Sequence, residues 1–340
     1  MNGHPVKLKE NVEIKPHTTF GIGGVARYFI EIKSVEELPE AIELAKKKKA
    51  PHYVIAGGSN LVFGDGLLYI TLIKLCPPKT GKLIEVRGNK ITCDASVVLM
   101  DLVNSAVKNS LGGMETLSGI PGTVGGAIVG NAGAYGQAIP DKLEKVLVFD
   151  GQKKKWLTKK ECKFVYRGSI FSHPSEREGS AVAFSAHGKR GGFATKVTSN
   201  PSLYVLRAVF KLDKGDKKAL EKKSREIIEI RDKKYPPGLK TPGSFFKNVL
   251  INEMPRESLK FLPTDRDYFG KVPAWHFLNQ VGARGMREGG IAIADFHGNY
   301  LINTGSATFE DVKTLADKLK KLVKDKFGVE LEEEVVYVAE

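Results

Sequence analysis

The chain has 340 residues, 41% of them hydrophobic, so it can bury a core spread over two or three domains and is not expected to be disordered. It contains no apolar run of the roughly 18 residues that a membrane span needs, and its start lacks a signal peptide's apolar stretch, so we expect a cytoplasmic protein. The formal charge of +14 attracts polyanions, but it does not distinguish nucleic acid, an acidic membrane or a small phosphorylated ligand.

Helices and strands are both predicted in the first part of the chain. A first helix is expected after Ser34, with Ser34 as N-cap and Glu37 completing a capping box. A short apolar strand then runs into Gly57-Gly58, and a hairpin turns at Gly88-Asn89. A second helical pattern stops at Gly112-Gly113.

The pattern continues with a hairpin at Asp150-Gly151 and a strand over 203–212, without regular βαβ alternation. The lysine-rich helix over about 216–234 then meets a proline-rich stretch. We therefore predict an α+β protein divided near residue 214, with 1–213 as one module (subdomains about 1–75 and 76–213) and 214–340 as a second domain. Near the end, a helix is predicted with Thr308 as N-cap, Asp311 at N3 and Gly328 as its stop, followed by a strand.

Two glycine-rich loops are the densest signal for ligand binding. Residues 112–136 hold nine of the chain's 36 glycines, and residues 56–60 (AGGSN) follow an apolar strand. Glycines at this density let successive backbone N–H groups turn toward a diphosphate, although a tightly turning loop without a ligand remains the alternative. Neither loop is a P-loop or a G-x-G-x-x-G fingerprint, so a nucleotide here would be held by another scaffold.

Ser244 lies in the segment TPGSFFKN, and this segment lacks the features of a hydrolase. There is no G-x-S-x-G elbow, and no histidine lies at a diagnostic spacing from the serine. No H-E-x-x-H, carboxylate-rich metal loop or C-x-x-C pair occurs, so neither a metal site nor a disulfide framework is expected. Arg167 and the acidic run over 330–334, each taken alone, would be solvated surface groups.

Taken together, seven segments in this order resemble the UDP-N-acetylenolpyruvoylglucosamine reductase family, flavoenzymes of peptidoglycan precursor synthesis. The segments are HTTFGIGG, AGGSN, LSGIPGTVGGAIVGNAGAYG, YRGSIF, PGSFFKN, NTGSAT and GVELEEEV, and they span about residues 12–338. The resemblance implies a two-part FAD-binding module of the vanillyl-alcohol-oxidase/PCMH type, then an α+β substrate-binding domain whose last strand returns to the FAD module. It implies FAD contacts at Gly57, Gly58, Ser59, Asn60, Ile120, Pro121, Gly122, Thr123, Gly125, Gly126 and Asn131.

The same resemblance implies an activity and three catalytic positions. NADPH would reduce FAD, and enolpyruvyl-UDP-GlcNAc would then be reduced to UDP-N-acetylmuramate, with Ser244 as proton donor and with Arg167 and Glu334 stabilising the developing charge. Residues expected to contact the substrate are Tyr166, Lys247 and Asn248. The implied partners are these small molecules, with no nucleic acid and no membrane insertion, and the protein would be a monomer or weak oligomer.

One stretch departs from the family pattern. Residues 172–202 are longer and more basic than expected, and they lack the tyrosine that a substrate-covering loop carries in one subclass, which leaves the subclass open. The alternative enzyme is another FAD-dependent oxidase or dehydrogenase of the same superfamily. A basic nucleic-acid-binding protein is the non-enzyme alternative, but the sequence has no helix-turn-helix, RRM or zinc signature.

Overall fold

The structure, a computed structural model, describes residues 6–76, 83–172, 203–262 and 270–339. It begins with a four-stranded sheet in the order β1-β2-β5-β3, in which β2, β5 and β3 are parallel and β1 is antiparallel. One helix packs on this sheet through an apolar stripe. The elements are β1 (Leu8–Glu13), β2 (Val25–Ile32), α1 (Leu38–Lys47), β3 (His52–Ile55), β4 (Leu61–Phe63) and β5 (Leu67–Leu75).

The predicted capping box at the first helix is wrong. Ser34 Oγ accepts a hydrogen bond from Glu36 N, and it caps a short 3-10 turn, Val35–Glu37, that precedes α1. The Glu37 carboxylate accepts from Lys33 N rather than from Ser34 N. The α-helix starts only at Leu38 because an α-helix that began at Val35 would need an N–H at Pro39 to bond Val35 O, and proline has none.

A second sheet has five antiparallel strands in the order β12-β11-β13-β7-β6. Both predicted hairpins are confirmed, one turning at Gly88-Asn89 and the other at Asp150-Gly151. The elements are β6 (Ile84–Arg87), β7 (Lys90–Asp94), α2 (Leu99–Lys108), β8 (Leu111–Gly112), α3 (Val124–Val129), β9 (Gly133–Ala134), β10 (Gln137–Ala138), β11 (Leu143–Phe149), β12 (Lys154–Thr158), β13 (Tyr204–Lys211) and β14 (Asp213–Lys214).

In the described C-terminal part, two of the three α-helices and several short strands pack around an apolar core, while the first α-helix packs on the preceding part of the chain. Its longest helix, α6, is capped as predicted: Thr308 Oγ1 accepts from Asp311 N, the Asp311 carboxylate accepts from Thr308 N, and Gly328 ends the helix with a left-handed φ of 68°. The elements are α4 (Lys217–Lys234), β15 (Val249–Leu250), β16 (Lys271–Val272), α5 (Ala274–Gln280), β17 (Arg287–Glu288), β18 (Ile291–Ile293), β19 (Leu301–Asn303), α6 (Phe309–Phe327) and β20 (Val336–Val338).

The ends of the chain are joined by pairing and by packing. Strand β20 pairs in parallel with β4, and its Val336 N donates to Asn60 O at 3.0 Å. Phe20, Ile22 and Val62 from the first part lie in the same apolar cluster as the residues of α5 and α6. The C-terminal core therefore reaches the segment between β1 and β2 and strand β4. The division of the chain at about residues 75 and 213 stays a prediction.

Candidate active site

The two glycine-rich loops lie side by side. A Cβ added at Gly57 would be 3.6 Å from Gly122 Cα, and Ser59 Oγ lies 3.5 Å from Pro121 O. Gly122 has a φ of +114°, and a Cβ there would lie 3.0 Å from Ser59 Oγ. Side chains at these two glycines would fill the space between the loops, so the residue type keeps that space open.

Within the first loop, Gly58 is the position where the backbone most requires glycine. Its φ is +62°, and an added Cβ would lie 2.4 Å from the carbonyl oxygen of His17. Thr19 N donates to Gly58 O at 3.2 Å, which fixes the turn against the segment that follows β1. The first loop therefore rests directly on residues 17–19.

Backbone donors in these loops are free to bind an anion. Among the described residues, no acceptor is found for the backbone N–H groups of Gly57, Gly58, Ser59, Asn60, Gly122 and Thr123. Buried or clustered backbone N–H groups are normally paired, and successive free ones in a turn form an anion-binding concavity. The loops therefore fit a bound diphosphate such as that of FAD.

The remaining predicted cofactor residues have structural contacts of their own. Thr123 Oγ1 accepts from Gly126 N at 3.3 Å and caps α3, while a Cβ at Gly125 would lie 3.0 Å from Ala95 O. Asn131 Nδ2 donates to Val165 O at 2.6 Å, and its Oδ1 is buried without a partner among the described residues. Ile120 N donates to Leu117 O. These residues shape the second loop and connect it to the segment that carries Arg167.

Arg167 and Glu334 form an ion pair, although 167 residues separate them in the chain. Arg167 Nε lies 2.9 Å from Glu334 Oε1, and both side chains are about one-fifth exposed, at 22% and 20%. The contact is an ion pair rather than an aligned hydrogen bond, since Arg167 Nε lacks a hydrogen-bond partner among the described residues. Arg167 has a left-handed φ of 55°, uncommon for a residue with a side chain.

Burial controls the ionisation of Glu334. Removal from water raises the pKa of its carboxyl above the usual glutamate range, and the positive charges of Arg167 and Lys247 oppose that rise. The net direction is upward, so the carboxyl holds a proton to a higher pH than an exposed glutamate does. A protonated carboxyl can donate a hydrogen bond to a developing negative charge.

Ser244 lies in a short strand-like clamp, and the residue after it, Phe245, contacts the backbone of Glu334. On one side Ser244 forms an isolated antiparallel β-bridge with Tyr300, and Phe245 N donates to Asn299 O at 3.0 Å. On the other side Glu334 N donates to Phe245 O at 2.7 Å. Ser244 is half-buried, and its hydroxyl has no hydrogen-bond partner among the described residues. The chain thus places a free hydroxyl one residue from the backbone contact of Glu334.

The predicted substrate-binding residues border the same clamp. Tyr166 Oη accepts a hydrogen bond from Asn248 N at 3.2 Å, and burial raises the pKa of the Tyr166 phenol. Lys247 N donates to Glu332 O, and its Nζ lies 2.5 Å from the Glu332 carboxylate. Lys271 Nζ lies 4.2 Å from the centroid of the Tyr166 ring.

Three residues that sequence reasoning did not single out hold the site together. Asn299 acts as a substitute strand partner, because its amide accepts from Phe246 N at 2.8 Å and donates to Phe246 O at 2.9 Å. Lys74 Nζ donates to the carbonyls of His17 and Ala56 beneath the first loop. Lys271, whose ammonium lies over the Tyr166 ring, was likewise not indicated by any sequence motif. The predicted cofactor residue Asn60 has its side-chain amide on Glu334 O at 3.0 Å, so the first loop is tied to the glutamate.

Two possible features are not found in the part of the chain that the structure describes. No group of three or more histidine, cysteine, aspartate or glutamate side chains could hold a metal ion there. None of its helices is long and apolar enough to cross a membrane. The question of a substrate-covering loop over 172–202 falls, beyond Ser172, outside the described residues.

Comparison with known proteins first defines the class. Residues 26–153 match the family model of the FAD binding domain, which covers the first glycine loop and the second through residue 136. With the mixed sheets and the two loops, this match makes the chain an FAD-binding enzyme and confirms the predicted fold class.

More specific similarities define the family. Residues 235–338 match the UDP-N-acetylenolpyruvoylglucosamine reductase C-terminal domain. The chain is 36% identical to the UDP-N-acetylenolpyruvoylglucosamine reductase of Solibacter usitatus over 95% of this chain and 94% of that protein. It is 33% identical to that of Carboxydothermus hydrogenoformans, with 97% and 94% covered. The crystal structure of the Thermus caldophilus enzyme, 27% identical, covers 98% of both chains with a TM-score of 0.68. The chain therefore belongs to the UDP-N-acetylenolpyruvoylglucosamine reductase family, as the sequence motifs predicted.

Proposed function

We propose that the protein catalyses the NADPH-dependent reduction of enolpyruvyl-UDP-GlcNAc to UDP-N-acetylmuramate, a step of peptidoglycan precursor synthesis. The family membership supports this reaction. The observation that carries it is the contact of Arg167 with Glu334, whose backbone binds Phe245, the residue after Ser244, and is tied through Asn60 to the loop proposed to hold FAD. Each of these groups answers a demand of the reaction.

The first demand is stabilisation of negative charge. FAD, once bound and reduced by NADPH, supplies the hydride that adds to C3 of the enolpyruvyl ether. The electrons of the double bond then move toward C2 and the adjoining carboxylate. Arg167 is always charged and suits that carboxylate, while a protonated Glu334 donates a hydrogen bond to the same enolate. Burial supports the second role, since it raises the pKa of Glu334.

The second demand is a proton at C2, and we assign it to Ser244. A serine hydroxyl is a weak acid, but an enolate carbon is basic enough to accept its proton when a nearby cation stabilises the alkoxide. Lys247 is the cation closest in sequence, and its ammonium pairs with Glu332. Tyr166, Lys247 and Asn248 would contact the substrate at the border of the clamp.

The setting of the reaction is also part of the proposal. We also propose that the enzyme is cytoplasmic. We expect the protein to be a monomer or weak oligomer, and light scattering measures its mass. We expect it to bind neither nucleic acid nor membrane. The division into an FAD module over 1–213 and a substrate-binding domain over 214–340 is also proposed; most residues of the core cluster that holds Phe245 and Phe246 lie beyond residue 244, whereas helix α4 packs on α2 and β8 of the first part.

Anaerobic spectroscopy in two steps tests the reaction. NADPH alone should bleach the flavin absorbance, and subsequent enolpyruvyl-UDP-GlcNAc should restore it with formation of UDP-N-acetylmuramate. UDP-GlcNAc, which lacks the enolpyruvyl ether, is the control and should leave the flavin reduced. Bleaching without reoxidation by either compound would instead indicate another FAD-dependent oxidase or dehydrogenase, and a colourless protein that cannot bind FAD would rule out both.

A further inference from the structure

Lys74 lies beneath the first glycine loop and binds two backbone carbonyls. It is a half-buried residue near the end of β5, and its Nζ donates to His17 O at 3.3 Å and to Ala56 O at 3.2 Å. No carboxylate of the described residues lies within ion-pair distance of its Nζ, and Glu31, its neighbour on β2, acts on it only at longer range. Burial lowers the pKa of the Lys74 ammonium, so keeping a cation here costs free energy that a neutral donor would not cost.

The contact with Ala56 determines where the next N–H group points. In a trans peptide unit the C=O and the following N–H point in opposite directions, and the described residues contain no cis peptide bond. Because the Ala56 carbonyl points toward Lys74, the Gly57 N–H points away from it. This N–H is one of the loop donors without an acceptor among the described residues.

The Gly58–Ser59 peptide is also held by the segment that follows β1. Gly58 O accepts from Thr19 N at 3.2 Å, so the Ser59 N–H also points away from the 17–19 segment. The His17 carbonyl that binds Lys74 lies 2.4 Å from the position of a Gly58 Cβ, which places both anchors on one side of the loop. Two free N–H groups are thereby held on the other side.

We propose that Lys74 is a positioning residue for FAD: it orients the Ala56–Gly57 peptide so that the Gly57 N–H donates to the diphosphate. Its charge beneath the loop, which is held in no ion pair among the described residues, adds to the attraction for the same anion and accounts for a cation rather than a neutral donor at this place. Lys74 acts through the backbone, and none of its predicted effect requires contact with the substrate. The inference rests on the proposed function insofar as FAD is the cofactor.

The test compares the affinity of apoprotein for FAD in matched lysine variants. Lys74→Met removes both donated hydrogen bonds and the charge, whereas Lys47→Met removes one exposed charge from α1 of the same sheet layer. We expect the FAD dissociation constant to rise at least tenfold in Lys74→Met and to stay within twofold of wild type in Lys47→Met. Lys74→Arg keeps a charged donor and should recover most of the affinity. Calorimetry of the apoproteins checks that all four unfold at similar temperatures.

Hydrogen exchange on the wild-type protein keeps the proposal testable if Lys74→Met fails to fold. The backbone amides of Gly57 and Ser59 should exchange readily in apoprotein and become protected when FAD binds. Equal FAD affinity in Lys74→Met and Lys47→Met overturns the proposal, and so does unchanged exchange at Gly57 on FAD binding. If the wild-type protein itself does not bind FAD, the proposed function is contradicted. If the wild-type protein binds FAD and only the predictions for Lys74 fail, the positioning role of Lys74 alone is contradicted.

Discussion

The two parts of the site are built in different ways. Each cofactor loop consists of residues close in sequence, and it offers mainly backbone N–H groups that glycine leaves accessible. The set of Arg167, Ser244 and Glu334 comes from three distant segments, and it offers side chains whose charge and protonation decide their use. The loops should therefore be sensitive to added atoms, and the catalytic set to changes of side-chain chemistry.

The largest effect is expected from Gly58→Ala. The new methyl group would lie 2.4 Å from His17 O on a backbone with φ of +62°, so the turn must move. We expect the variant to be purified colourless, with FAD affinity reduced more than about 100-fold, because the strain and the displaced donors together exceed about 3 kcal/mol. Flavin absorbance and calorimetric titration with FAD measure this loss.

Gly88→Ala is the matched control for backbone strain. Gly88 has a nearly equal φ of +60°, but an added Cβ meets no atom within 4 Å. Its penalty should be limited to about 1–2 kcal/mol of stability, with full FAD content. If the two variants lose FAD alike, steric contact with residues 17–19 is not what makes Gly58 necessary.

Ser244→Ala should show the second-largest effect, confined to one half of the reaction. A positioned general acid contributes about 10²–10⁴-fold, so reoxidation of reduced flavin by enolpyruvyl-UDP-GlcNAc should slow by at least about 100-fold. Reduction by NADPH requires no proton from this hydroxyl and should stay near the wild-type rate. Stopped-flow absorbance follows the two steps separately. Equal slowing of both steps would contradict the role of Ser244 as proton donor.

Glu334→Gln is expected to have a moderate effect that depends on pH. The pKa of Glu334 is raised in the folded protein, so wild-type reoxidation should decline as pH rises through that raised value and the donor is lost. The amide of glutamine keeps a donor at all pH values, so the variant should be about tenfold slower at low pH with a flatter profile. Glu334→Ala lacks the donor and should be slower by about 100-fold or more.

The raised pKa of Glu334 also predicts how the free energy of unfolding changes with pH. A carboxyl whose pKa is higher in the folded state than in the unfolded state binds more protons when folded, so folding is penalised as pH rises from the ordinary glutamate value through the raised one. The stability of Glu334→Gln relative to wild type should therefore increase over that interval and level off above it. Urea unfolding at several pH values measures the difference, and a decrease would show that Arg167 outweighs burial.

The sequence predicted features with local signals and missed contacts between distant segments. Thr308, Asp311 and Gly328 cap α6 as expected, since capping depends on residues within one turn. The glycine loops were visible for the same reason. The contact of Asn60 with Glu334 O spans 274 residues and that of Lys74 with Ala56 O spans 18, and only the folded chain shows them. At Ser34 the local signal was misleading, because a 3-10 turn precedes the helix.

The smallest effect is expected from Tyr166→Phe. Tyr166 lies between the catalytic set and the residues proposed to contact the substrate. Tyr166 Oη accepts from Asn248 N at 3.2 Å, and the ring contacts the Lys271 ammonium. Phenylalanine keeps the ring but leaves Asn248 N without its acceptor, a loss of about 0.5–1.5 kcal/mol, or about twofold to tenfold. We expect this change in KM for enolpyruvyl-UDP-GlcNAc, with FAD affinity unchanged. Tyr69→Phe removes an equivalent hydroxyl from β5 and should alter neither quantity. A fall in kcat at constant KM would instead give the Tyr166 hydroxyl a part in the chemical step.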